Sequence, residues 1–288
     1  MKKEVQQLPV RSFKSSGPQA SKFEIEKLSP LSTKERVVVE PHRHDYYHVQ
    51  YIHSGSGIHT IDFKQFDIKA NSLFFISPGQ VHSMDLSHDT EGFIITFDSE
   101  FYTLHHDKQR LINFPFFYSL YNEPSIYPTN TSAKVHEIAG QLYEEYTGNG
   151  KFKEDMLRAH LEILLITASR MYEPKPANPM PHHLVYQLRK LELLIDKHFK
   201  DYKLLDDYAS MMHLSSKHLN SICKKGLNKT LTKLVHERLL LEAKRLLLFT
   251  DNTINEIALE LGFTDKSYFM RFFKKHTKMT ADAFRQEK

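Results

Sequence analysis

Between Thr253 and His276 the chain sets hydrogen-bonding groups and positive charge at helical spacing. Lys266, Ser267, Met270, Arg271, Lys274 and Lys275 fall on one face, and Tyr268, Phe269, Phe272 and Phe273 on the other. Side chains of the first kind can donate to base edges and pair with phosphates. Just upstream, Ile254, Ile257, Ala258 and Leu261 mark the buried side of a first short helix. Thr253 and Glu256 stand at capping-box spacing. Gly262 can end that helix in a left-handed conformation, Phe263 plugs the turn, and Thr264 or Asp265 caps the second helix. Two helices about a glycine turn, the second with a basic polar face, meet the needs of a helix-turn-helix that reads DNA.

Upstream elements must hold this motif in place. Leu205–Met212, the turn His213-Leu214-Ser215 and Ser216–Lys225 form an approximate repeat of it: Leu205 to Lys225 matches Ile254 to Lys275. Leu219, Ile222 and Cys223 are the buried side of the earlier second helix. Between the motifs, Leu231–Phe249 reads as one helix of 19 residues, about 28 Å long. That is near the ~34 Å repeat of B-DNA, so two recognition helices could enter successive major grooves. Leu184–His198 is a further helix. Glu173 to Pro181 holds four prolines in nine residues and reads as a semi-stiff linker.

The N-terminal part is different. Val37–Val39, His48–His53, Ile58–Phe63, Leu73–Ile76 and Phe93–Phe97 are short β-branched or aromatic runs separated by turn residues, the pattern of a small barrel or sandwich. Two helices follow, Ser132–Tyr146 and Lys151–Tyr172. Met156, Leu157, Leu161, Leu164, Leu165 and Ala168 stripe the second, which can pack on its own barrel or on a partner chain. Leu111–Tyr121 is a weaker helical segment interrupted by Pro115.

Composition bounds the function. Of 288 residues, 40% are hydrophobic and 26% charged, with a net charge of +4. Residues 183–288 carry 20 Lys+Arg against 13 Asp+Glu, net +7, and residues 1–182 carry 19 against 22, net −3. Basic charge concentrated on the segment with the motifs is an electrostatic footprint for nucleic acid. No apolar run approaches a membrane span. The first 21 residues lack an apolar core and read as a disordered leader, not a secretory signal. The one cysteine, Cys223, excludes an intramolecular disulfide and fits a reducing cytoplasm.

The run IALELGFTDKSYFMRFFKKH closely resembles the second helix-turn-helix of the AraC/XylS transcriptional regulators. The stretches PHRHDYYHVQYIHSGSG (41–57) and SPGQVHS (77–83) resemble the cupin-like sensing domain of the same family. The resemblance implies an α+β chain of two domains. A cupin-like β-barrel with helices (22–172) would sense a small-molecule effector and dimerise, a linker (173–182) would follow, and an all-α domain with two helix-turn-helix motifs (183–288) would bind promoter DNA. It further implies a cytoplasmic homodimer that contacts RNA polymerase, most often as an activator, and that is not an enzyme. Carried over by motif position, Lys217, Asn220 and Ser221 of the first recognition helix and Lys266, Ser267, Met270 and Arg271 of the second would face bases. Arg271 suits guanine and Asn220 adenine. Lys224, Lys225, Lys274 and Lys275 would meet phosphates.

Two departures stand out: Lys278 and Ala281 occupy positions where the family has Gly and Pro, which puts the turn at 277–282 in doubt, and Asn228 replaces a Gly. Nine of the 18 histidines lie between His42 and His106. His42, His44, His48 and His82 stand at cupin metal-ligand positions, but His48 replaces the Glu of cupin enzymes and Leu86 replaces a signature Asn. They are expected to line the effector pocket with no required metal and no cofactor. The alternative is a metal-dependent cupin enzyme fused to a DNA-binding domain; a sequence-independent architectural DNA binder is disfavoured by the mixed, polar recognition faces.

Overall fold

The computed structural model describes residues 10–11, 22–30, 40–104, 110–117, 122–127, 132–172 and 180–286. They fall into two compact units, one within residues 10–172 and one within residues 180–286.

The first unit is built on two five-stranded sheets. One has the order β1 (Val10–Arg11), β3 (His42–His44), β8 (Val81–Leu86), β5 (Gly57–Ile61), β6 (Lys64–Ile68). The other runs β10 (Ser125–Ile126), β7 (Leu73–Ile76), β4 (Tyr47–Ser54), β9 (Glu91–Phe97), β2 (Phe23–Leu28). All pairings are antiparallel except β1 with β3. In β4, residues His48 to Ile52 are all buried because both faces of the strand are covered. Val49 and Tyr51 face outward into a large core with α2 (Ser132–Thr147) and α3 (Lys153–Met171). His48, Gln50 and Ile52 lie on the opposite face. Ile52 packs there with Leu28, Ile61, Phe66, Ile68, Phe74 and Ile76 in a separate inner core. A short helix α1 (Ser99–Thr103) and 3-10 turns at Arg110–Asn113 and Pro115–Phe117 close the outer core.

Several expectations change here. The predicted strand Ile58–Phe63 ends at Ile61, because Asp62 and Phe63 (φ 47° and 68°) form a two-residue hairpin turn. Such positive-φ turns match the twist of the flanking strands. Asp62 Oδ1 fixes that turn by accepting from the Val81 amide at 3.2 Å. The stripe on α3 packs inward: Leu157, Leu161, Leu164, Leu165 and Ala168 are fully buried in their own unit, whereas Met156 and Ile163 are exposed. In place of one interrupted helix from Leu111, the chain makes two 3-10 turns, and residues 118–121 lie outside the described residues. So do the predicted strand Val37–Val39, most of the leader and most of the linker. Within the leader, Val10–Arg11 forms a strand.

The second unit is all helical: α4 (His182–His198), α5 (Leu205–Met212), α6 (Ser216–Leu227), α7 (Leu231–Phe249), α8 (Ile254–Glu260), α9 (Lys266–Thr277) and α10 (Ala281–Arg285). Buried Leu184, Leu188, Leu191 and Ile195 give α4 one apolar stripe. The side of α7 facing α4 is charged. Arg238 bonds Asp196 at 2.6 Å and Glu242 at 3.0 Å, and Arg245 bonds Glu242 at 3.0 Å. The Arg238 guanidinium also lies 4.1 Å over the Phe199 ring. Burial pushes the Glu242 carboxyl up, but the two guanidiniums outweigh it and hold it at about 2.

Candidate nucleic-acid interface and barrel interior

Each recognition helix is fixed by local chemistry. Ser215 caps α6, its hydroxyl accepting from the His218 amide at 3.2 Å, and Asp265 caps α9 by accepting from the Tyr268 amide at 2.7 Å. Both helices end in a left-handed residue, Asn228 (φ 51°) and Lys278 (φ 67°), whose amides donate to the carbonyls of Lys224 and Lys274. Thr230 and Thr280 then cap α7 and α10. The repeat is therefore one structural unit offset by 50 positions, and Lys278 makes the turn that Asn228 makes, not a different one. Buried Leu219, Ile222 and Cys223 in α6 match Phe269, Phe272 and Phe273 in α9. Burial pushes the Cys223 thiol up to about 11, so it is inert core filler.

The turn between α8 and α9 is held from outside. Thr253 and Glu256 form a reciprocal capping box at 2.7 and 3.2 Å. Gly262 has φ +69°, and a Cβ there would sit 2.1 Å from the Lys200 carbonyl oxygen. Lys203 Nζ donates to the carbonyls of both Lys200 and Gly262 at 2.7 Å. The segment between α4 and α5 thus grips the turn of the second motif, and only glycine permits that approach.

These supports leave a set of side chains toward solvent. Lys217, Lys224 and Lys225 on α6 and Lys266, Ser267, Arg271, Lys274 and Lys275 on α9 are exposed; Asn220, Ser221 and Met270 are half-buried. Among the described residues no carboxylate pairs with any of these lysines or with Arg271. Asn220 Oδ1 accepts from the Leu231 amide at 3.3 Å, so one lone pair of its carboxamide helps start α7. One position differs from expectation. Tyr268 belongs with the exposed set: it is 49% exposed, its ring 5.5 Å from that of Phe263. Its aromatic character placed it with the core; its position directly after Lys266 and Ser267 was the signal to the contrary.

In the first unit, register places His42 opposite His82. His44 Nε2 lies 2.8 Å from His82 Nε2, and His59 Nε2 lies 3.0 Å from His82 Nδ1. The His48 ring is 5.4 Å from that of His44 and 5.1 Å from that of His82. The four histidines singled out from sequence therefore meet, and His59, which no motif marked, joins them. All five are buried. Burial first, and then the neighbouring imidazoles, hold His48, His59 and His82 well below the usual histidine range, so they are neutral. Both ring nitrogens of His48 and both amide atoms of Gln50 are buried without a hydrogen-bond partner. Each such group costs roughly 1–3 kcal/mol, a cost that a bound polar guest would offset.

A barrel with a polar interior and a separate all-helical unit with two exposed recognition helices define a ligand-sensing DNA-binding regulator. Two family models agree: an AraC-like ligand binding domain matches residues 32–161, and a helix-turn-helix domain matches residues 208–287. The chain belongs to the AraC family of transcriptional regulators. It is 24% identical over 249 residues to the HTH-type transcriptional activator RhaR of Escherichia coli, spanning 86% of this chain and 87% of RhaR. It is 32% identical over 109 residues to the regulatory protein PocR of Salmonella typhimurium, spanning 38% of this chain and about a third (35%) of PocR. Among solved structures, ToxT from Vibrio cholerae matches with a TM-score of 0.42 at 13% identity, over 91% of this chain and 97% of that one.

Proposed function

We propose that the chain activates transcription from specific promoters when a small polar molecule enters its barrel. The observation that carries this is the row of exposed cations, unpaired among the described residues, on two helices held in matching frames. Arg271 reads a base, with Lys217, Lys266, Ser267, Ser221 and Met270 beside it in the groove. Lys224, Lys225, Lys274 and Lys275 neutralise phosphates. Asn220 reads with the base-facing set while one lone pair of its Oδ1 holds the start of α7, and Tyr268 stands beside the readers. His42, His44, His48, His82, His59 and Gln50 line the effector site, and no turnover is assigned to it.

The working division is 22–172 for sensing and dimerisation, 173–182 for the linker and 183–288 for DNA. The protein acts in the cytoplasm as a homodimer and engages RNA polymerase at the promoter. Exposed Phe152, just before α3, and exposed Met156 and Ile163 on its outer side offer the dimer face, in place of the buried leucines. Among the described residues no helix is long and apolar enough to cross a membrane.

The test is genome-wide mapping of bound DNA, followed by titration of the recovered site with residues 183–288. Specific binding should fall steeply with salt, since each neutralised phosphate releases counterions. A folded fragment without salt-dependent binding refutes the assignment.

A further inference from the structure

We propose that the barrel holds one divalent first-row transition-metal ion, bound by the imidazoles of His42, His44 and His82 with His48 as a fourth ligand. One candidate ligand atom from each of His42, His44 and His82 lies within 4.8 Å of the others, and all three residues are buried. The inference rests on the geometry of the barrel and stands apart from the DNA-binding assignment.

The tautomers of two of the three histidines suit it. The His42 Nδ1–H donates to the Glu40 carbonyl at 3.1 Å, which puts the lone pair of the ring on Nε2. His82 turns Nδ1 toward His59 at 3.0 Å and Nε2 toward His44 at 2.8 Å. With Nδ1–H given to His59, His82 carries its lone pair on Nε2 and accepts there from His44 Nε2–H; the ion takes the place of that proton as His44 shifts to its Nδ1–H tautomer. A ligating histidine held by a hydrogen bond at its other nitrogen is the usual second layer of a metal site, and His59 supplies it here. Two imidazole nitrogens on one tetrahedral ion, each at about 2.0–2.1 Å, stand about 3.4 Å apart. The His44–His82 pair needs to open by only about half an ångström, within the reach of side-chain rotation.

His48 is the independent sign of a guest. Its ring is stacked on that of His44 and set edge-on to that of His82, and neither of its nitrogens has a hydrogen-bond partner. A buried neutral imidazole with nothing to bond is what remains when the partner is an ion. The donors are all nitrogen, which suits Zn, Co, Ni, Cu or Fe and not Mg or Ca. Gln50 lies on the same face of β4 as His48, two residues on, with its amide also unpartnered. It is placed to bond a water or an effector oxygen at any open position of the ion.

The full chain, made without a histidine tag and stripped with a chelator, should take up about one equivalent of Zn(II) or Co(II). X-ray absorption of the Zn(II) form should show three or four imidazole nitrogens at about 2.0–2.1 Å. His44→Gln with His82→Gln should weaken binding more than tenfold, His59→Phe about 10–100-fold, and His53→Gln with His136→Gln, a separate pair whose rings lie 4.1 Å apart, not at all. Uptake well below one equivalent for every ion from Fe(II) to Zn(II), or a first shell of oxygen donors, overturns the proposal. The wild-type absorption measurement decides even if a variant fails to fold. Duplex binding measured on the same samples is a separate result, whose failure counts against the regulatory assignment alone.

Discussion

Replacing Glu242 by Gln keeps the shape of the side chain and removes its charge between two guanidiniums. Glu242 is 4% exposed, and both Arg238 and Arg245 bond it at 3.0 Å. Its folded pKa of about 2 lies well below the ordinary 4.5. A difference of about 2.5 units corresponds to about 3 kcal/mol, with no discount for screening at this burial. Because the folded value is depressed, this stabilisation is fully present above pH ~4.5 and is lost as pH falls from there toward ~2. Denaturant unfolding of wild type and Glu242→Gln, followed by far-UV circular dichroism, should show a gap of about 3 kcal/mol at neutral pH that narrows through the acid range. Hydrogen exchange of the Leu239–Leu247 amides in the whole chain assigns the gap to α7. A gap of the same size at neutral pH and at pH ~3, or no gap at neutral pH, refutes the reasoning.

Four further outcomes are expected. Arg271→Ala should cost about 1–3 kcal/mol on the best site and flatten preference at one base pair, whereas Lys274→Ala should weaken all sequences equally and lower the salt slope by about one; binding across single-base operator changes separates the two. Gly262→Ala should destabilise the helical unit by more than about 1 kcal/mol, since the new Cβ meets the Lys200 carbonyl and the backbone is left-handed, and a melting curve reads it. Lys278→Gly should stabilise the same unit by about 0.5–1 kcal/mol by relieving a left-handed lysine. Met156→Glu with Ile163→Glu should yield folded monomers by light scattering, whereas Leu157→Glu with Leu164→Glu should unfold the barrel unit, because those leucines are core.

The helical unit was largely legible because its physics is local. Capping pairs, helical spacing and Gly262 each announce themselves within four residues, and α5, α7 and α9 follow from them. What escaped depends on tertiary partners: nothing local reveals that Asn220 turns back to Leu231, or that Tyr268 faces away from Phe269. The barrel was harder for a definite reason. The strand His42–His44 buries only its two histidines, and Val81–Leu86 buries His82 beside Val81 and Met84, so the apolar alternation that marks a half-buried strand is masked. His59 was missed because its role arises from strand register, which sets β5 beside β8. The α3 stripe was legible as apolar, but which of its residues face their own barrel depended on the rotation of the helix against the sheet.

The grip of Lys203 on Gly262 has a consequence for modular engineering. The two motifs look like interchangeable cassettes, each with its own caps, and a designer seeking new operator specificity would cut the chain after α7 and graft a foreign second half. The turn of that second half is seated against Lys200 and Lys203, which belong to the first. A graft beginning at Thr253 would bring a turn shaped for another seat. The exchangeable part is therefore discontinuous in sequence: residues 253–286 travel with residues 199–203, and a library that varies one without the other searches mostly among ill-fitting pairs.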